Sequence, residues 1–228
     1  MKFVYIIIFL FILNLHTRLY AQDYPDGGLW NTFNAEYALN SRFVVQFTQE
    51  LRFRENLSRL NLFYTNLGIE YKLSKNIKTA FVYRWIDKYL DDNTFSFRHR
   101  LMLDMTYKYK VKNLNLSYRH RLQVEGRDIF TSENGKRKEW YSRSKVTVKY
   151  DRGKRYIPYA AIELRYQIQD HRNFESDKTW HRVRWIAGTD YKINNKNIFS
   201  FYYLIQNEFN VITPQTLYIL GLEYNLSL

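Results

Sequence analysis

From Asn66 to Asp87 the chain reads NLGIEYKLSKNIKTAFVYRWID. Leu67, Ile69, Tyr71 and Leu73 share one face of an extended segment, with Gly68, Glu70 and Lys72 on the other. After the polar turn Ser74-Lys75-Asn76, Ile77, Thr79, Phe81, Tyr83 and Trp85 alternate with Lys78, Ala80, Val82 and Arg84. A period of two on both sides of a short turn predicts a β-hairpin. The same pattern returns from Ala187 as AGTDYKINNKNIFSFYYLIQ, and its first half closes the chain as LGLEYNLSL. Looser copies start at Leu101 and Val146. One hairpin alone is marginal in water, so repeated hairpins predict strands that pair in sequence.

Eleven alternating segments follow the polar lead-in Gln22 to Gly28: Leu29–Leu39, Arg42–Arg54, Leu60–Leu73, Ile77–Ile86, Phe97–Tyr109, Leu114–Glu125, Trp140–Tyr150, Tyr156–Gln169, Thr179–Ile193, Ile198–Glu208 and Gln215–Leu228. Most reach the roughly 9–11 residues that a tilted membrane-crossing strand needs. Short polar turns alternate with longer connections, such as Asp87–Ser96, Gly126–Glu139 and Asp170–Lys178. That is the asymmetry of outer-membrane barrels, whose turns are short on the periplasmic side. The fold predicted is all-β: a closed, antiparallel, up-and-down transmembrane barrel of ten to twelve strands. Eleven up-and-down strands would run the first parallel to the last. A twelfth strand from Gln22–Gly28, a ten-strand barrel, or an N-terminus threading the lumen are the other arrangements.

Composition agrees with a membrane barrel. Hydrophobic residues make up 46% and mean hydropathy is still −0.51, because apolar positions alternate with charged ones. The one unbroken apolar run, Phe3 to Leu13, follows Lys2 and precedes Leu19-Tyr20-Ala21. It is too short to span a bilayer and predicts a signal peptide over residues 1–21, with a barrel domain over 22–228. Without Lys2 and Arg18 of this leader, the net charge falls from +13 to +11. A basic soluble protein would suggest nucleic acid, but secretion and the scatter of Arg along strands argue against it. Cysteine is absent, which excludes disulfides, thiolate metal sites and attachment of lipid through cysteine.

The two faces of the strands differ. Phe47, Leu67, Phe81, Leu103, Leu116, Val146, Ile162, Phe201 and Leu220 belong to the outward face. Tyr37, Tyr71, Tyr107, Tyr109, Tyr150, Tyr191 and Tyr224 stand near the short turns, as an interfacial girdle requires. The inward face carries Glu36, Glu70, Asp104, Asp190 and Glu223 towards the short-turn end. A basic lumen cluster is expected in the outer half: Arg52, Arg54, Arg84, Arg98, Arg100, Arg119, Arg121, Arg143, Arg165, Arg182 and Arg184, interspersed with Glu50, Glu125, Glu163 and Glu208. Such a cluster either plugs a narrow lumen as a paired network or forms a basic vestibule that concentrates anions. Gly68, Gly188 and Gly221 leave space on the same face.

Catalytic chemistry is not legible along the chain. Of the histidines beyond the leader, His99, His120, His171 and His181, three (His99, His120 and His181) have lipid-face parity, and no Ser lies two residues from any of them. No phosphate loop, zinc spacing or calcium loop occurs, so no cofactor or metal is expected.

The stretches LWNTFNAEYALNSRFVVQFTQELRFREN and NLGIEYKLSKNIKTAFVYRW resemble the domain of unknown function 2490 family, small secreted barrels found mainly in bacteria of the Bacteroidetes type. The matching features are Trp30, Glu50-Leu51-Arg52-Phe53, Gly68-x-x-Tyr71-Lys72 and Tyr83-Arg84. The resemblance implies an outer-membrane barrel of a Gram-negative bacterium and carries over no catalytic or binding residue. The expected function is a structural or narrow-pore barrel, with small anions as the solutes its basic half would pass. An enzyme acting on outer-leaflet lipids and a soluble periplasmic ligand-binding barrel are the alternatives. The expected partners are outer-membrane lipid and lipopolysaccharide, and the barrel-assembly machinery, whose C-terminal signal the strand Tyr218–Leu228 resembles. No nucleic acid is expected.

Overall fold

The computed structural model describes residues 26–90, 94–126, 138–169 and 178–228. The expected leader, His171 and much of the longest connections lie outside these residues. Alternation governs the rest: eleven strands form where the period of two runs, and nowhere do they depart far from the expected bounds. They are β1 (Asp26–Ala38), β2 (Phe43–Arg54), β3 (Arg59–Lys72), β4 (Ile77–Tyr89), β5 (Phe95–Val111), β6 (Leu114–Gly126), β7 (Glu139–Tyr150), β8 (Tyr156–Gln169), β9 (Thr179–Lys192), β10 (Asn197–Glu208) and β11 (Thr216–Ser227). Consecutive strands pair antiparallel around a closed barrel.

The closing seam departs from the antiparallel expectation. β1 pairs β11 in parallel, from Asp26↔Leu217 to Glu36↔Ser227. With eleven described strands going up and down, first and last must run the same way, and the evenly spaced, slanted bonds of a parallel ladder still close the edge. The seam also corrects the lead-in: Asp26 to Gly28 belong to β1, because Leu217 to Ile219 of β11 offer them partners.

Short turns are held by their own side chains. Asn40 Oδ1 accepts from the amides of Arg42 and Phe43 at 2.9 Å each, and Ser74 Oγ and Asn194 Oδ1 do the same in their turns. In the turn after β7, the Gly153 N–H donates to Asp151 Oδ1 at 2.8 Å and Lys192 Nζ to Oδ2 at 3.1 Å. These contacts, the backbone one first, hold the Asp151 carboxyl below the usual carboxylate range.

Side-chain polarity is inverted relative to a soluble barrel. Outward, Leu67 is 56% exposed, Phe81 50% and Leu103 52%, whereas inward Glu163 is 4% exposed. Aromatic pairs ring the short-turn end, including Phe43–Tyr71 with ring centroids 4.8 Å apart and Tyr156–Tyr191 at 4.9 Å. A second set, Trp85–Phe97, Tyr89–Phe95 and Tyr166–Trp180, rings the other end. Two aromatic belts around an apolar band are what a bilayer demands of a barrel. No helix among the described residues is long and apolar enough to cross a membrane.

The lumen is packed, and its glycines are part of the packing. Tyr159, Gly188, Tyr202, Gly221 and Trp30 occupy neighbouring positions on β8, β9, β10, β11 and β1. Large and small alternate around the wall, so the Tyr159 ring lies over Gly188 and the Tyr202 ring over Gly221. The space that these glycines leave is therefore filled from the adjacent strand. Trp30, Ala161, Ile186, Tyr202, Leu204 and Ile219 form one buried cluster, and Ala80, Val82 and Met102 a second.

Candidate functional site

Strand parity puts all of the predicted arginines inside the barrel, and the pairing register decides which carboxylate each one meets. Arg52 pairs with Glu50, Arg98 and Arg100 with Glu125, and Arg182 with Glu208. Arg121 grips Asp104 with Nε and Nη2, both at 2.6 Å, a bidentate fork. Glu163 is the hub. It meets Arg119 from β6 at 2.9 Å, Arg143 from β7, and Arg184 from β9 at 3.2 Å.

Arg54 meets Glu55 at 3.4 Å at the end of β2, and the two remaining members of the cluster lean on aromatic faces. Arg84 donates to Asn66 Oδ1 at 2.7 Å and lies 3.4 Å from the centre of the Tyr64 ring. Arg165 donates to His181 Nε2 at 2.7 Å and lies 4.2 Å from the Tyr141 ring centre. Arg52 sits 3.6 Å over Trp30, while the Tyr64 hydroxyl donates to Glu50 Oε2 at 2.6 Å. Trp30, Arg52, Tyr64 and Arg84 therefore form a layered contact across the waist of the lumen, with the planar guanidinium groups against rings.

Cavities lie on either side of this waist. On the long-loop side is a cavity of about 400 Å³, lined by eight cationic side chains, Arg98, Arg100 and Arg165 among them, and four carboxylates. On the short-turn side lie cavities of about 740 Å³ and 290 Å³. The inner cavities share Asn34, Glu36, Glu223 and Asn225 with each other and no lining residue with the outer one. Between them Met102, Gln123, Leu204 and Ile219 are almost inaccessible to solvent.

Three features of the site escaped sequence reasoning. First, the short-turn half is not simply acidic. Lys149 Nζ meets Asp190 at 2.5 Å, Lys78 pairs with Glu70, and Lys108 and Lys145 line the larger inner chamber. Their parity is that of the arginines, and that signal was available. Arg119 and Arg121, expected in the outer half, line the smaller inner cavity. Second, His181 faces the lumen instead of lipid and is 4% exposed. The β8–β9 register shifts between Arg165 and Tyr166, which face Arg182 and Trp180. His181 is the extra residue of that bulge, so its parity inverts. Third, His99 and His120 do face outward, and His120 has serine partners on the next strand: its Nδ1 is 3.2 Å from Ser144 Oγ and its Nε2 3.5 Å from Ser142 Oγ. Only the register of β6 against β7, His120↔Ser144, brings them together.

No group of three or more metal-ligating side chains occurs among the described residues. Residues 27–216 match the model of a family described as "Protein of unknown function (DUF2490)". No curated protein matches the chain. Among solved structures, it is similar to one described as "NanC porin structure in rhombohedral crystal form", at 11% identity, over 79% of this chain and 85% of that one, with a TM-score of 0.49.

Proposed function

Since the chain belongs to the DUF2490 family, whose description assigns no activity, we propose a function from the barrel itself: a structural outer-membrane barrel whose lumen is closed at rest by its own side chains. The observation that supports this is the waist, where Glu163 and its three arginines and the Trp30–Arg52–Tyr64–Arg84 layers stand between the outer cavity and the inner ones, which share no lining residue with it. Its surround is outer-membrane lipid, and the apolar face of Tyr218, Leu220, Leu222, Tyr224 and Leu226 is what the barrel-assembly machinery would read. An epitope inserted between Ile212 and Thr213 should be reachable by antibody on intact cells, and one between Arg152 and Gly153 should not. Recovery of the protein in the soluble periplasm would end this reading.

Anion passage is the second reading, and the excess of cations over carboxylates in the outer cavity favours it for an opened barrel. In planar bilayers the unmodified protein should show no steady conductance. The double variant Tyr64→Ala, Arg84→Ala removes two layers of the waist and should conduct, with preference for anions. That preference should shrink as salt rises, because exposed charges are screened over about 10 Å at 0.1 M ionic strength. Steady conductance of the unmodified protein would refute closure, and cation preference in the opened variant would refute the second reading.

A further inference from the structure

We propose that the lipid-facing side of β6 and β7 carries an acyl-ester hydrolysis site in which Ser142 is the nucleophile and His120 its base. Four polar groups gather there: Tyr118 and His120 from β6, Ser142 and Ser144 from β7. Leu122 stands above His120 on β6, Val146 lies below Ser144 on β7, and Met105 of β5 is the partner of His120 on the other side. An ionisable side chain in the apolar band of a membrane protein is costly to keep, and marks a functional site unless its partners are purely structural.

The contacts form a chain. His120 Nδ1 lies 3.2 Å from Ser144 Oγ, which lies 3.2 Å from Tyr118 Oη; with the proton on Nδ1, His120 donates to Ser144 and the Ser144 hydroxyl to Tyr118. This tautomer satisfies both contacts and leaves the Nε2 lone pair towards Ser142 Oγ at 3.5 Å. A nucleophile–base separation of this size is common before substrate binds and tightens it. Ser144 thus plays the orienting part, a positioning residue, and Ser142 and His120 the reacting part.

Depth selects the substrate. Trp140 is the next outward residue above Ser142 on β7 and is 40% exposed, and Ser142 itself pairs with Tyr166 of the upper aromatic set. Two residues along a strand span about 7 Å. Ser142 therefore lies just beneath the head-group level, where the acyl esters of the external leaflet sit. In the reaction, Ser142 Oγ attacks the ester carbonyl carbon and its proton passes to His120 Nε2. The ester C–O bond breaks, and the imidazolium returns the proton to the departing alcohol. Water, deprotonated by the same Nε2, then cleaves the acyl-serine, releasing the fatty acid and restoring the Ser142 hydroxyl.

The backbone N–H groups of β6 and β7 at this level are committed to the sheet. The oxyanion thus lacks a preformed amide pair, and one missing donor typically costs about 10²–10³ in rate. Slow turnover is expected, so acylation itself is the better readout. The full-length protein in neutral-detergent micelles should be labelled by a fluorophosphonate, with the adduct on Ser142 by peptide mass spectrometry. Ser142→Ala and His120→Asn should abolish labelling, Ser144→Ala should slow it about tenfold, and His99→Asn should leave it unchanged. His99 is the internal control, since its partner is Tyr83 and no serine. All four substitutions face outward, and retained heat-modifiable gel mobility confirms folding. The site rests on the membrane reading only for its substrate, so hydrolysis of the water-soluble ester p-nitrophenyl butyrate tests the chemistry apart from it. Vesicles of phosphatidylethanolamine and vesicles containing lipopolysaccharide distinguish the two sources of acyl ester. Fatty acid released from either, and lost at least 100-fold in Ser142→Ala, supports the site. An unlabelled protein, an adduct elsewhere than Ser142, or release unaffected by Ser142→Ala would overturn it.

Discussion

Glu163→Gln should destabilise the barrel by about 3–5 kcal/mol, the usual consequence of removing one partner from a buried ionic cluster. The substitution is nearly isosteric, so lost volume plays no part. What changes is that Arg119, Arg143 and Arg184 lose the carboxylate that all three share. The neighbouring amides, Gln123 Oε1 at 3.4 Å from Arg143 and Gln206 Oε1 at 2.8 Å from Arg184, keep hydrogen bonds but bring no charge. Folded and urea-unfolded fractions in lipid vesicles, followed by heat-modifiable mobility, give the measurement. Glu208→Gln is the internal comparison: among the described residues Glu208 forms its ion pair with Arg182, and its side chain is 16% exposed against 5% for Glu163, so its loss should cost about 1 kcal/mol. Adding Arg184→Met to Glu163→Gln should recover part of the loss, because it removes one of the stranded cations. A Glu163→Gln barrel within 1 kcal/mol of the parent would mean that water already solvates the hub, and the lumen is not closed there.

The division between what the sequence declares and what it hides follows from the period of a strand. Parity along one strand is local, so the approximate extents of the strands, the outward Leu67, Phe81 and Leu103, and the inward placement of the eleven predicted arginines could be read residue by residue. Partnership across strands depends on register, which the sequence specifies only through the sum of all pairs. Hence Glu163 as a hub, and Ser142 and Ser144 beside His120, became visible only with β6, β7 and β9 in place. His181 failed for a sharper reason: a bulge adds one residue and inverts parity beyond it, and nothing in Thr179-Trp180-His181-Arg182 announces it. The parallel seam was an open option because it rests on the count of strands, a global quantity.

Gly188 and Gly221 should tolerate alanine poorly, and in a definite order. A Cβ on Gly221 would fall 2.0 Å from Cζ of Tyr202, inside the ring's own volume. The ring can swing away only into Trp30, Ala161, Ile186, Leu204 and Ile219, which already fill that side of the lumen. Overpacking of this kind costs about 1–3 kcal/mol. At Gly188 the new Cβ meets the Phe201 carbonyl oxygen at 2.6 Å and Tyr202 Cβ at 2.7 Å. Neither is the free end of a side chain, so relief requires β9 and β10 to part where Gly188 faces Tyr202. Gly188→Ala should therefore exceed Gly221→Ala in cost and refold in lower yield. A second comparison isolates the ring. Tyr202→Leu removes the atoms that Gly221→Ala would strike, so the double variant should be more stable than the sum of its single losses by at least about 1 kcal/mol, a coupling expected only of residues in contact. Simple additivity, or equal tolerance of alanine at both positions, would show that Tyr202 does not lie over Gly221 in the folded barrel.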